Sequence, residues 1–165
     1  PPFGLPKGDD DPGKELPFSG VYRLMRDGRL ALLAKDAPYP NGLAFSPDEK
    51  TLYISNAEAK RAVWLAFDVN SDGSLGTSRV FFDATSWVRP GRGNPDGLKV
   101  DRAGNLFASG PGGLHVFAPD GTHLGTFAFD VPVSNCNWGE DGSTLFVTAS
   151  TAVYRVRLST KGPGF

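Results

Sequence analysis

Asn41 and Asp96 are the residues whose surroundings most clearly invite chemistry. Each follows a proline and precedes a glycine, in Pro40-Asn41-Gly42 and Pro95-Asp96-Gly97. A carboxamide and a carboxylate offer hard oxygen donors, which suit one divalent cation: calcium first, with magnesium, manganese or zinc as further options. A carboxylate at such a place is also a candidate general base. The same tripeptides are ordinary turn sequences, and that reading stands beside the first. Other candidates carry less. His115 and His123 lie in two strand-like runs joined by Pro119-Asp120-Gly121 and read as partly exposed strand histidines. Asp68-x-Asn70-x-Asp72-Gly73 begins like a calcium loop, but its twelfth position is Arg79, where a bidentate acid is required, so it reads as a turn. The sequence holds no nucleophile elbow, phosphate-binding lysine loop or His-x-x-x-His pair. Its single cysteine, Cys136, excludes an intrachain disulfide or a Cys-x-x-Cys site.

The elements that must position Asn41 and Asp96 are short strands. The chain carries 21 glycines and 14 prolines in 165 residues, so uninterrupted stretches long enough for helices are few. Val21 to Met25 and Leu30 to Lys35, separated by Arg26-Asp27-Gly28-Arg29, predict a hairpin. In the window from Asp48 to Asp72, Ala59, Ala62, Val63, Ala66 and Phe67 could form a helical face. Its second half also alternates, with Val63, Leu65, Phe67 and Val69 on one side, and its β-branched and aromatic residues favour strand.

A repeat organises these runs. Pro40 to Asp48 leads through a turn into Leu52-Tyr53-Ile54-Ser55, and Pro95 to Asp101 leads likewise into Leu106-Phe107-Ala108-Ser109. A third copy runs from Ser134-Asn135-Cys136-Asn137-Trp138 into Leu145-Phe146-Val147-Thr148. The intervals from Phe45 to Val100, 55 residues, and from Val100 to Trp138, 38 residues, bracket the period of four-stranded propeller blades. Two further strand-like runs follow each of the first two copies. The expected fold is therefore an all-β propeller segment. Residues 1–20 form a loop or lid, 21–39 the outer strands of one blade, 40–94 and 95–133 a blade each, and 134–165 a last, partial blade. The equivalent places of Asn41 and Asp96, each opening the first strand of its unit, aim both toward one mouth of a central channel.

Composition bounds the rest. With 39% hydrophobic and 21% charged residues, the chain has the material for a packed core. A net charge of -1, with neither sign gathered into a long block, gives nucleic acid nothing to hold. No apolar run approaches the roughly 18 to 20 residues of a membrane span. The start, Pro1-Pro2-Phe3-Gly4, has neither an initiator methionine nor a signal peptide, so an upstream segment is expected to be missing. A soluble chain is expected, and its compartment, cytoplasm or periplasm, stays open.

Three segments together resemble the SMP-30/gluconolactonase/regucalcin-like family. They are Pro40 to Asp48, Pro95 to Asp101 with Gly104-Asn105-Leu106, and Gly112-Gly113-Leu114-His115-Val116-Phe117. The opening Pro1-Pro2-Phe3-Gly4-Leu5 is similar to a loop found in many members. The resemblance implies a six-bladed propeller that holds one divalent cation on its axis and hydrolyses sugar lactones or related cyclic esters. It assigns the Asn of Pro-Asn-Gly and the Asp of Pro-Asp-Gly to the metal, here Asn41 and Asp96. The family's glutamate ligand and a substrate-side asparagine have no counterpart, so the chain matches the C-terminal half of a member. About three blades would then need completion, by a missing N-terminal half or by a second copy in a homodimer. The rival expectation is a non-catalytic propeller, serving as a binding scaffold or a calcium-binding regulatory protein.

Overall fold

The computed structural model describes residues 3–165, so Pro1 and Pro2 of the opening motif lie outside the described residues. Among those residues the chain forms thirteen strands and three single-turn 3-10 segments, at Gly8–Asp10, Ala59–Arg61 and Thr85–Trp87. The strands make four antiparallel sheets in chain order. β1 (Val21–Leu24) and β2 (Leu30–Ala34) form the expected hairpin. β3 (Pro40–Phe45), β4 (Thr51–Asn56), β5 (Val63–Val69) and β6 (Leu75–Asp83) form a four-stranded meander. β7 (Leu98–Val100), β8 (Leu106–Gly110), β9 (Gly113–Phe117) and β10 (His123–Ala128) form the next. β11 (Val133–Gly139), β12 (Thr144–Ala149) and β13 (Ala152–Arg157) form a three-stranded sheet. This is a β-propeller, about three blades of a six-bladed ring.

The core lies between blades. β4 alternates across its sheet: Leu52 and Ile54 join Val63, Leu65 and Phe67 facing the β1–β2 hairpin, while Tyr53 joins Trp64 and Ala66 facing the following blade. A central strand buried on both faces reads as a nearly unbroken apolar run, and the period-2 sorting decides which interface each side chain fills. Against Trp64 and Tyr53 the second blade sets Leu98, Leu106, Ala108 and Phe117. Its other face presents Phe107 and Leu114 to Val133, Cys136, Trp138 and Leu145 of the third. The Trp138 indole also donates across this second interface to the Val100 carbonyl at 2.7 Å. Each large side chain buried here contributes about 2 to 3 kcal/mol, which ties neighbouring blades into one body.

The calcium-loop look-alike is the tight link between β5 and β6. The Asn70 amide donates to the Ser74 carbonyl at 2.9 Å, and Gly73 takes a left-handed φ of 77°. The histidine expectation is corrected in part: His123 is exposed, whereas His115 is buried at 3% exposure, because β9 is packed between the β8 and β10 strands beneath Trp64 and Trp87.

Candidate functional site

The first strands of the three blades, β3, β7 and β11, are successive neighbours. They place Asn41, Asp96 and Ser134 at equivalent positions, each one residue before a backbone group that meets the second strand of its own blade. Gly42 lies opposite Ser55, Gly97 opposite Ser109, and Asn135 opposite Thr148. The structure brings the two predicted residues close enough for the Asn41 side chain to act on the Asp96 carboxyl, favouring its charged form. Asn41 is exposed and Asp96 is half-buried. Burial pushes the Asp96 carboxyl above its ordinary value, opposed by the Asn41 side chain and then by the Gly97 amide.

The glycines that follow are not there for turn geometry, since neither Gly42 nor Gly97 has a left-handed φ. They allow close approach. A Cβ on Gly42 would lie 2.2 Å from the Asp96 carbonyl oxygen and 2.8 Å from the Gly97 Cα, so blades one and two meet backbone to backbone. A Cβ on Gly97 would lie 2.2 Å from the Asn135 side chain. The Pro-Asn-Gly and Pro-Asp-Gly elements are therefore interblade junctions at the inner strands, with the polar residue left at the open end.

Sequence reasoning missed the hydroxyls that hold these junctions. Ser55, fully buried at the end of β4, accepts from the Gly42 amide at 2.7 Å and donates to the Asp96 carbonyl at 2.7 Å. Ser109 spans the next junction as a donor alone, to the Gly97 carbonyl at 2.8 Å with the Ser134 carbonyl at 3.3 Å, while the Gly97 amide bonds the Ser134 carbonyl directly at 2.8 Å. In the third blade Thr148 bonds the Ser134 hydroxyl at 2.9 Å. The only available signal was that Ser55, Ser109 and Thr148 end the second apolar run of each repeat copy.

Other polar groups are committed elsewhere. Asp101, fully buried beyond the far end of β7, accepts from the Asn105 amide and carboxamide at 2.8 Å each and from the Thr160 hydroxyl at 2.9 Å. It borders a cavity of about 410 Å³ reaching β10 and Leu158, away from the Asn41–Asp96 pair. Burial pushes the Cys136 thiol up to about 12, so it is no nucleophile. Among the described residues, no three of His, Cys, Asp and Glu gather as a metal-binding set. Two oxygen donors at Asn41 and Asp96 fit a hard cation as part of a ligand set. No helix is long and apolar enough to cross a membrane among the described residues.

Comparison with known proteins adds the wider frame. A gluconolactonase of Zymomonas mobilis is 46% identical, over 98% of this chain and 47% of its own length. A gluconolactonase structure from Xanthomonas campestris superimposes with a TM-score of 0.79 at 38% identity, covering 96% of this chain and 51% of that one. The structure of regucalcin from Agrobacterium tumefaciens, described as a calcium-binding protein, shares the fold at a TM-score of 0.70 and 21% identity, over 87% of this chain and 53% of its own. The chain thus spans about half the length of the relatives it matches. Residues 3–151 match the region described as SMP-30/gluconolactonase/LRE-like, and the chain belongs to that family.

Proposed function

We propose that this segment supplies part of the active site of a metal-dependent sugar-lactone hydrolase, acting within a complete ring. The observation that carries the reading is the Asn41–Asp96 pair, contributed by neighbouring blades at the end of the inner strands, with a carboxyl made more basic by burial. The substrate is a small lactone, in line with the gluconolactonases it is similar to.

Asn41 and Asp96 would hold one divalent cation, calcium first, with magnesium, manganese or zinc as alternatives. When bound, such an ion polarises an ester carbonyl and stabilises the charge that develops on its oxygen. The residues of this chain do the rest. Asp96 orients a water molecule and takes its proton as the new bond to the carbonyl carbon forms. The ring C–O bond then breaks, and the departing oxygen recovers a proton, leaving a hydroxy acid. Asn41, a neutral donor, steadies the carboxylate without adding a second negative charge.

The test is Asp96→Asn in the complete ring. Turnover of a gluconolactone is expected to fall about 10²- to 10⁴-fold, the range lost with a general base, while the fold survives. Undiminished turnover at saturating divalent cation would remove Asp96 from the mechanism, whereas a wild-type ring without turnover would favour a binding scaffold.

A further inference from the structure

We propose that Ser55 is a positioning residue for the site, a buried clasp that fixes the Asn41 and Asp96 elements against each other; its functional consequence rests on the lactonase reading above. Ser55 reaches both elements with one hydroxyl. It accepts from the amide of Gly42, the residue after Asn41, and donates to the carbonyl of Asp96 itself, each at 2.7 Å. The Gly42 carbonyl, at 3.4 Å, is a weaker second acceptor. No other side-chain hydrogen bond found among the described residues joins these two tripeptides through a third residue.

Chemistry explains why a hydroxyl is needed. Gly42 and Asp96 meet too closely for any side chain to stand between them, and both groups facing Ser55 are backbone groups. Only a side chain that accepts and donates at once satisfies the amide and the carbonyl together. Ser55 is fully buried, so water does not replace it easily, and its loss leaves both partners wanting. Ser109 also faces two neighbouring blades, as a donor to the Gly97 carbonyl with the Ser134 carbonyl at 3.3 Å, while the Gly97 amide bonds the Ser134 carbonyl directly; the third blade places a threonine, Thr148, at the corresponding position. Threonine keeps a hydroxyl that donates and accepts, so it is the conservative replacement.

The experiment uses the complete ring that carries this segment, as wild type, Ser55→Ala, Ser55→Thr and Ile54→Val. Ile54 is the buried neighbour of Ser55 on β4 and serves as the packing control. In metal-free protein, the Asn41 carboxamide protons are followed by NMR with selectively labelled asparagine. Manganese affinity is then measured by titration, well below each variant's melting temperature. Ser55→Ala should broaden or shift the Asn41 signals and weaken manganese binding about 10- to 100-fold, the range seen when groups that orient metal ligands are removed. Ser55→Thr should restore both, and Ile54→Val should leave both near wild type. Asn41 signals unmoved by Ser55→Ala, or moved equally by Ile54→Val, overturn the positioning role. If the signals respond as expected while no variant and no wild type binds manganese, the clasp stands and the metal-dependent reading falls.

Discussion

His115 shows what a single buried side chain can do to the acid response of the whole chain. The Pro111 carbonyl, 3.2 Å from Nε2, can only accept, so Nε2 carries the proton and Nδ1 accepts from the Thr126 hydroxyl at 2.9 Å. The exposed His123 reaches the same Thr126 oxygen at 3.0 Å. Burial first, then the neighbouring His123, lower the His115 pKa to about 4, opposed by the Pro111 carbonyl. The folded chain therefore refuses a proton that the unfolded chain takes up near pH 6.5. Stability is complete above that value and declines as the pH falls toward 4, by up to about 1.4 kcal/mol per unit and about 3 kcal/mol in all. The carboxylates with lowered pKa act in the same sense, but in a lower window, below their ordinary 3.8; Asp141, held by the Ser143 hydroxyl, falls to about 2. Urea unfolding of the complete ring between pH 7 and 4 should show this slope, and His115→Gln should flatten it. An unchanged slope in that variant would place the acid sensitivity elsewhere.

At the scale of elements, the inner-strand junction sets the tolerance to substitution. Gly42→Ala would drive a Cβ into the Asp96 carbonyl and the Gly97 Cα, backbone atoms that cannot turn aside. Gly97→Ala first meets the Asn135 side chain, which belongs to an exposed residue and can turn aside by giving up its 2.9 Å bond from the Cys136 amide. Gly42→Ala should thus cost about 2 to 4 kcal/mol and Gly97→Ala clearly less, read from urea midpoints at constant m-value. Equal losses would mean that blades one and two separate as easily as Asn135 rotates. The alternation of Val63, Leu65 and Phe67 against Trp64 and Ala66 was legible in sequence because a strand sorts neighbours between two faces. So was the equivalence of Asn41 and Asp96, because the repeat preserves position. The Ser55 clasp was not. A serine at a strand end looks like any other until the partner blade is in place, and its two acceptor and donor groups lie 13 and 41 residues away. The burial of His115 was hidden similarly, since Trp64 and Trp87 reach it from another blade and a distant loop.

At the scale of the molecule, strand number decides between the two ways of completing the ring. Six four-stranded blades need about 24 strands, and thirteen lie among the described residues, so about eleven more would complete a ring. Two whole blades, an inner pair for β1–β2 and one outer strand for β13 supply that number. Two copies of this chain instead bring about 26, and the surplus falls where the β11–β13 sheet of one copy meets the β1–β2 hairpin of the other. Five strands would then crowd each shared blade, so a two-fold ring forms only if a strand is expelled. The open faces are apolar: Leu24 and Leu30 are each 69% exposed on one side, and Val153 is 68% exposed on the other. A complementary half-ring is the better occupant, and the part of the Zymomonas mobilis relative outside the 47% that this chain matches provides a reagent. The 165-residue chain alone should bind a hydrophobic dye and show no single dimeric mass by light scattering. Mixing with that half should produce a one-to-one species and quench the dye signal. A chain that is monodisperse as a dimer and silent to the dye would mean that β13 or β1 gives way, and that the ring closes on two copies after all.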